Sequence, residues 1–446
     1  MTFRQCKGWP CERTRYERGA VHRYVRISFD TRASPPYNPH VKGSSRIPPG
    51  TDLLGIEDRG EERTESTVML FLLPFFLLYS ALHLYIFMKM KVVLSLGAVT
   101  TPLVLVFMAI MVIAPVITWI FERHGFEFSA RLIAYIGYTW MAVAFLFFSF
   151  SLLIDLYGLF VYTSGLVLQK DLSRLQPPPG LSLVILLVVG GIALHGYLEA
   201  GSIRNETVII ESPKIPKEIG SVTITQISDV HLGLIVREER LKRILKEVRK
   251  AEPDILVSTG DLVDGQTGNL KGLAGLLEAI NPQYGKFAVT GNHEFYAGLH
   301  QALDFTEKAG FTVLRGEAMN IGGILTIAGV DDPTGRQFGL FQGVSEGDLL
   351  SGLSRERFTV LLKHRPVVGE KALGLFDLQL SGHTHQGQIF PFSLVTRLFF
   401  PAGPGLVHLS RNSYLYVNRG SGTWGPPIRF LSPPEVTVIK LIHKDI

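Results

Sequence analysis

The chain has 446 residues, of which 46% are hydrophobic and only 19% charged, with a formal net charge of +5, and its mean hydropathy is positive. That combination excludes a disordered, collagen-like or ordinary soluble chain and leaves room for two or three domains. The charge excess is too mild for a nucleic-acid-binding stripe. With Cys6 and Cys11 as the sole cysteines, a metal site further along must use nitrogen and oxygen donors.

Residues 1–66 are polar and basic, carry Pro35, Pro36, Pro39, Pro48 and Pro49, and show no sustained apolar period. They are expected to be disordered and to build no core. The composition changes sharply at Thr67, so the native start is expected at Met69, with residues 1–68 as translated upstream sequence. Cys6 and Cys11 supply at most two ligands and read as incidental thiols.

From Thr67 to about Ala200 the pattern is transmembrane: residues 67–88, 92–121, 131–154 or somewhat beyond, and 181–199 are each long and apolar enough to cross a hydrocarbon core. Pro74, Pro102 and Pro115 are tolerable inside such helices, and Tyr79, Tyr85, Trp119, Tyr135, Tyr138 and Trp140 supply candidates for an interfacial aromatic belt. Four spans put both ends of the chain on one side. Lys89, Lys91, Lys170 and Arg174 mark the opposite loops as cytoplasmic, whereas Arg123, Arg131 and Arg204 favour the reverse orientation. Asp155, His195 and Glu199, in or beside the spans, read as interfacial or bundle-stabilising groups.

Residues 201–220, with Pro213 and Pro216, are expected to form a tether, and 221–446 a domain of soluble composition. Strands are predicted at 222–227, 255–258, 287–290, 324–329, 358–362, 377–381, 414–418 and 436–442, with helices at 237–250 and 270–280; the opening order is βαβ. Five polar clusters follow strands: Asp229-Val-His231, Gly260-Asp261-Leu-Val-Asp264, Gly291-Asn292-His293-Glu294, Lys363-His364-Arg-Pro366 and Gly382-His383-Thr-His385. In a doubly wound sheet the carboxyl ends of strands converge on one crevice, so these groups can meet. Asp229, His231, Asp261, Asn292, His364, His383 and His385 are seven N/O donors suited to Mn, Fe, Zn, Co or Ni, too many for one small ion. Two ions sharing Asp261 would each receive four ligands.

These five motifs, in this order across 221–446, resemble the calcineurin-like metallophosphoesterases. The resemblance implies an α/β four-layer sandwich, two mixed sheets face to face with helices outside, following a multi-pass α-helical membrane module. It implies a dinuclear centre in which Asp229, His231, Asp261 and His385 hold one metal and Asp261, Asn292, His364 and His383 the other. By the same resemblance His293 is the non-ligand histidine beside the leaving group and Asp264 the acidic residue orienting it. Paired cations acidify water, clamp phosphate oxygens and offset charge developing in an in-line displacement, and a protonated His293 acts as general acid.

Asp264 is followed by Gly265-Gln266, not the Arg-Gly of protein serine/threonine phosphatases, which demotes that activity. Ser228-Asp-Val-His-Leu-Gly233 and Ser381-Gly-His-Thr-His-Gln-Gly-Gln-Ile389 are similar to the branch holding transmembrane proteins with a metallophosphoesterase domain and bacterial phosphodiesterases resembling UDP-2,3-diacylglucosamine hydrolases. Gln386 stands where Gly or Ala is usual. The run Ile389 to Phe400, with Phe399 and Phe400 at its end, is expected as an apolar loop beside the site that contacts lipid or packs between the sheets. The expectation is a phosphodiesterase or pyrophosphatase in a bacterial inner membrane, with a lipid-linked phosphate ester as substrate and no nucleic acid partner. The alternatives are a phosphodiesterase for soluble nucleotides and a non-catalytic receptor that binds phosphate. A UDP-linked substrate requires the cytosolic face.

Overall fold

The computed structural model describes the backbone of residues 12–17, 20–28, 57–265, 270, 272–409 and 412–445, with side chains from Leu73 onward; Cys6 and Cys11 lie outside the described residues. The apolar region forms four helices: α1 (Glu57–Val93), α2 (Thr100–Arg123), α3 (Glu127–Leu168) and α4 (Leu181–Ala200). All four are long and apolar enough to cross a membrane, α1 through its Leu73–Val93 portion. Their outward faces stay apolar and exposed, as at Leu78, Phe160 and Leu187, which suits a hydrocarbon solvent rather than water.

α3 covers the expected 131–154 and runs beyond it at both ends, the extension past 154 being longer than the slight one expected. It has 42 residues, about 63 Å at ~1.5 Å per residue, roughly twice a hydrocarbon core. No proline interrupts it, and it stops where Gln169 adopts a left-handed backbone with φ 51°. Its first turns are fastened to the C-terminal domain: Glu127 pairs with Arg237, and the Tyr135 hydroxyl donates to the Ile235 carbonyl at 3.2 Å. Within the bundle, Asp155 is neutralised by Lys89 and accepts from the Tyr85 hydroxyl at 2.7 Å. Glu199 pairs with Arg204 at 2.9 Å, and His195 lies on an exposed face of α4.

The C-terminal domain contains β3 (Arg204–Ser212), β4 (Ser221–Ile227), α5 (Glu238–Lys250), β5 (Ile255–Ser258), α6 (Leu273–Glu278), β6 (Lys286–Ala288), α7 (Asn292–Tyr296), α8 (Leu299–Lys308), β7 (Thr312–Val313), β8 (Glu317–Ile321), β9 (Leu325–Gly329), α9 (Glu346–Ser351), β10 (Phe358–Leu362), β11 (Leu378–Ser381), α10 (Phe392–Phe399), β12 (Gly405–His408), β13 (Tyr414–Val417) and β14 (Glu435–His443). One sheet runs β3-β14-β4-β5-β6-β7 and the other β12-β13-β11-β10-β9-β8. Both are mixed. β4, β5, β6 and β7 are parallel, β14 is antiparallel to β4, and the second sheet has antiparallel edges at β8 and β12.

The tether expected at 201–220 is instead largely β3, whose Thr207-Val-Ile-Ile210 run pairs in parallel with β14, Val438 opposite Thr207. A β-branched run bounded by Pro213 is a strand signal, and its partner lies more than 200 residues away, out of reach of local reading. The segment expected to be irregular contains β1 (Glu12–Glu17) and β2 (Ala20–Ser28), with β2 added in parallel to β3. An unpaired strand edge offers such an addition without any apolar period in the added chain. The run expected as a loop after Ile389 contains α10.

The sheets pack face to face through Val208, Ile224, Val257 and Phe287 on one side and Ile327, Val360, Leu378 and Tyr416 on the other. α5, α6 and α8 cover the outer face of the first sheet through Leu241, Leu277 and Phe305. α9 covers the second, with Leu350 against Leu361 and Phe376. α5 shows why these helices form: Leu241, Ile244, Leu245 and Val248 fall on one buried face while the other face is charged.

Candidate active site

The five motifs meet at the carboxyl ends of their strands. Asp229 and His231 follow β4, Asp261 and Asp264 follow β5, Asn292 and His293 open α7 after β6, His364 follows β10, and His383 and His385 follow β11. Asp229, His231, Asp261, His383 and His385 all have φ between 47° and 71°, a left-handed conformation that costs energy in non-glycine residues and collects at functional sites. Neighbouring glycines make room: Gly260 has φ 95°, and a side chain on Gly382 would strike Ser228 and Asp229.

Donor atoms face one another across a small interior. His231 Nε2 lies 3.1 Å from His385 Nε2, and His385 Nε2 lies 3.3 Å from Asp229 Oδ1. On the other side His364 Nε2 is 3.1 Å from His383 Nδ1 and 3.2 Å from Asp261 Oδ2. Asp261 Oδ2 also lies 3.7 Å from His231 Nε2, so one carboxylate serves both halves. The groups Asp229, His231 and His385 and Asp261, His364 and His383 are each close enough to hold a metal ion. Asn292 Oδ1, buried and without a hydrogen-bond partner, supplies a further oxygen.

Burial pushes the Asp229 and Asp261 carboxyls up, yet the surrounding imidazoles hold both well below the usual range. Burial pulls His364 down, but Asp261 and Asp229 overcome it and raise it to about 10. The same burial, with positive neighbours, depresses His231 to about 3 and His383 to about 4. Two ionised carboxylates, the neutral imidazoles of His231 and His383 and an orphaned amide oxygen are a donor set suited to cations. His364 Nδ1 lies 2.8 Å from the Thr259 carbonyl, which directs Nε2 inward.

His293 borders this ring, and with His231 and Asp261 it forms a third group close enough to hold a metal ion. Its Nδ1 is 2.9 Å from Asp264 Oδ1, and its backbone N–H donates to Asp261 Oδ1 at 2.9 Å. Burial lowers it, but Asp261 and Asp264 outweigh that and hold it at about 9. The structure therefore brings together every motif residue singled out in the sequence, and sets Phe400 against His383 with ring centroids 5.0 Å apart. Phe399 is 74% exposed. Gln386 adopts φ 52°, a left-handed backbone that glycine takes most readily.

Two supporting residues carried no role in the sequence reading. Glu294, 3% exposed, accepts from the backbone N–H groups of Gly291 at 2.6 Å, Leu262 at 2.7 Å and Asp261 at 3.0 Å, locking two ligand loops together. The signal was its place three residues after Gly291 at a helix start, the spacing of a capping box. Arg429 is fully buried; its Nη2 lies 2.9 Å from His385 Nδ1 and donates to the Gly422 carbonyl at 2.6 Å. Nothing near it in sequence marks it.

The family profile for calcineurin-like phosphoesterases matches residues 222–387. An uncharacterized metallophosphoesterase of Aquifex aeolicus is 43% identical over 254 residues, 57% of this chain and 97% of the relative. The uncharacterized metallophosphoesterase YkuE of Bacillus subtilis is 32% identical over 290 residues, 61% of this chain and 99% of that one. A transmembrane protein with metallophosphoesterase domain from Danio rerio is 30% identical over 273 residues, 58% and 62% of the two chains. With this profile match and a relative 43% identical over 97% of its length, the chain belongs to the calcineurin-like metallophosphoesterases, metal-dependent hydrolases of phosphate esters.

Proposed function

We propose that the protein is a membrane-anchored phosphoesterase that binds two divalent cations and cleaves a phosphodiester or pyrophosphate bond in a lipid-linked substrate, with UDP-2,3-diacylglucosamine as the named candidate. Asp229, His231, Asp261 and His385 hold one cation, and Asp261, Asn292, His364 and His383 the other. Two cations there supply Lewis acidity to the phosphate and acidify the attacking water. His293, protonated at neutral pH, donates its Nε2 proton to the leaving oxygen, a role worth roughly 10²- to 10⁴-fold. Asp264, at Nδ1, fixes the tautomer and orientation that put Nε2 towards the cleft.

The observation that carries the lipid assignment is α10. It presents Leu398, 80% exposed, and Phe399, 74% exposed, while Phe400 at its end abuts His383. Its first residue, Phe392, meets Phe145 of α3 with ring centroids 6.1 Å apart. An apolar helix therefore bridges the bundle and the metal cage, a track for acyl chains.

The test is UMP release from UDP-2,3-diacylglucosamine by the full chain in detergent with Mn²⁺, beside bis(p-nitrophenyl) phosphate. The Asp261→Ala control is expected to lose both activities. Leu398→Ser/Phe399→Ser is expected to lose the lipid substrate alone. Cleavage of only the generic diester by the wild type overturns the UDP-lipid assignment, and equal loss of both substrates in the double variant overturns the lipid track. UMP release also places the catalytic domain on the cytosolic face.

A further inference from the structure

A second cavity lies outside the metal cage, where α3 and α4 meet α5. Its volume is about 460 Å³, within the usual range for ligand pockets, and Arg131, Tyr135, Tyr197, Arg240 and Arg243 line it. Arg131 and Tyr135 belong to the first turns of α3, Tyr197 to the last turn of α4, and the other two arginines to one face of α5. No metal-cage residue contributes to it.

The charges do not balance. Arg237, also at the rim, is paired with Glu127. The two carboxylates on the rim, Glu238 and Glu239, face Lys242 at 2.7 and 3.8 Å. Among the described residues no carboxylate pairs with Arg131, Arg240 or Arg243. Arg131 lies over the Tyr135 ring at 5.8 Å, and Arg240 donates a long hydrogen bond, 3.5 Å, to the Thr423 hydroxyl. Half-buried Arg240 is held below the usual guanidinium range by burial. Gly201, the residue ending α4, leaves the space its side chain would fill to the Arg243 guanidinium.

We propose that this pocket binds a phosphate-bearing anionic headgroup, that of a lipid in the surrounding bilayer. Three guanidiniums offer the bidentate donors a phosphate takes. The position selects the source. Pocket walls come from the ends of two apolar helices that flank the catalytic side, the depth at which headgroups lie, and basic pockets between such helix ends hold anionic headgroups. A tyrosine from each helix adds the amphipathic ring characteristic of that interface. The lipid is thus a structural partner at the joint between bundle and catalytic domain, distinct from the molecule hydrolysed.

The experiment uses the full chain in neutral detergent, titrated with phosphatidylglycerol or phosphatidylcholine, with bound lipid counted by native mass spectrometry and thermal stability followed in parallel. A third arm adds millimolar inorganic phosphate alone. Wild type is expected to retain phosphatidylglycerol over phosphatidylcholine and to melt higher with it. Arg243→Gln is expected to weaken retention about fivefold and Arg240→Gln/Arg243→Gln about 25-fold, at roughly fivefold per guanidinium. Arg249→Gln, which removes an exposed charge from α5 outside the pocket, is expected to change nothing. The exposed Arg243 single variant carries the test should the double variant misfold. Equal retention of the two lipids, or unchanged retention in Arg243→Gln, overturns the proposal and leaves these arginines as partners of the α4 C-terminal dipole. Stabilisation by inorganic phosphate equal to that by phosphatidylglycerol overturns the lipid as source and leaves a soluble-anion site.

Discussion

Replacing Glu294 by glutamine changes one buried atom and should disable the cage. Oε2 of Glu294 accepts from Gly291 N at 2.6 Å and Asp261 N at 3.0 Å, and Oε1 from Leu262 N at 2.7 Å. Glutamine retains one carbonyl oxygen, so whichever way the amide turns, an NH₂ group faces at least one of these three donors. Burial raises the Glu294 carboxyl to about 7, so its bonds lie between the neutral and charged cases at ~1–3 kcal/mol each, and losing one or two costs about 1–6 kcal/mol. For a domain of this size that is a fall in melting temperature of roughly 2–24 °C. The N–H groups at risk belong to Asp261, to its neighbour Leu262 and to the residue before Asn292, so metal affinity should fall about 10- to 100-fold. Calorimetry and metal content by plasma mass spectrometry, on protein dialysed against graded Mn²⁺, measure both. A Glu294→Gln protein that melts and loads metal like the wild type would refute the claim that this carboxylate holds the two loops in place.

Chelation should abolish hydrolysis reversibly, and Asp261→Asn or His383→Ala should remove metal and turnover together; unchanged turnover in either variant sinks the ligand assignment. Asp264→Asn should leave metal content intact and cut kcat roughly 10²- to 10³-fold. Because Asp264 helps raise His293 to about 9, the alkaline fall in the variant's kcat should begin at lower pH, and an unshifted profile contradicts the acid role. Asp377 is raised above its usual range by burial, against the pull of Lys214 at 2.7 Å. A raised carboxyl contributes stability below its unfolded pKa of about 4 and loses it as pH rises through the folded value. Lys214→Ala should therefore destabilise the domain more at pH 7 than at pH 4, which denaturant melts at the two pH values check.

The cluster of candidate ligands was legible because its chemistry is local: each Asp, Asn or His sits in a short motif directly after a strand, and the βαβ order makes strand ends converge. β4, α5 and β10 were legible from periodicity, since each buries one stripe or is buried outright. β3 was not, because its partner is β14, at the other end of the domain. α10 was misread as a loop since Pro391 precedes it and its apolar residues lack a polar face long enough to show a period. The full length of α3 escaped for a related reason. A hydropathy window reports what suits hydrocarbon, and cannot tell a helix that ends at the interface from one that continues against a neighbouring domain. Arg429 was invisible because its service to His385 rests wholly on tertiary packing.

The joint between bundle and catalytic domain is short and stiff. Only Gly201, Ser202 and Ile203 separate α4 from β3. The Gly196 carbonyl of α4 accepts from the Arg429 backbone N–H at 2.9 Å, the residue whose side chain reaches His385. Ile389, Ile428 and Phe430 of the catalytic domain share one apolar cluster with Leu146, Ile185 and Val189 of the helices. Such a joint works as a height gauge. On the proposed lipid-linked reading the cleft would be carried at a fixed elevation and tilt above the bilayer, so a phosphate would be cut according to how far its own anchor let it rise, and selectivity would acquire a geometric component that no candidate metal ligand encodes.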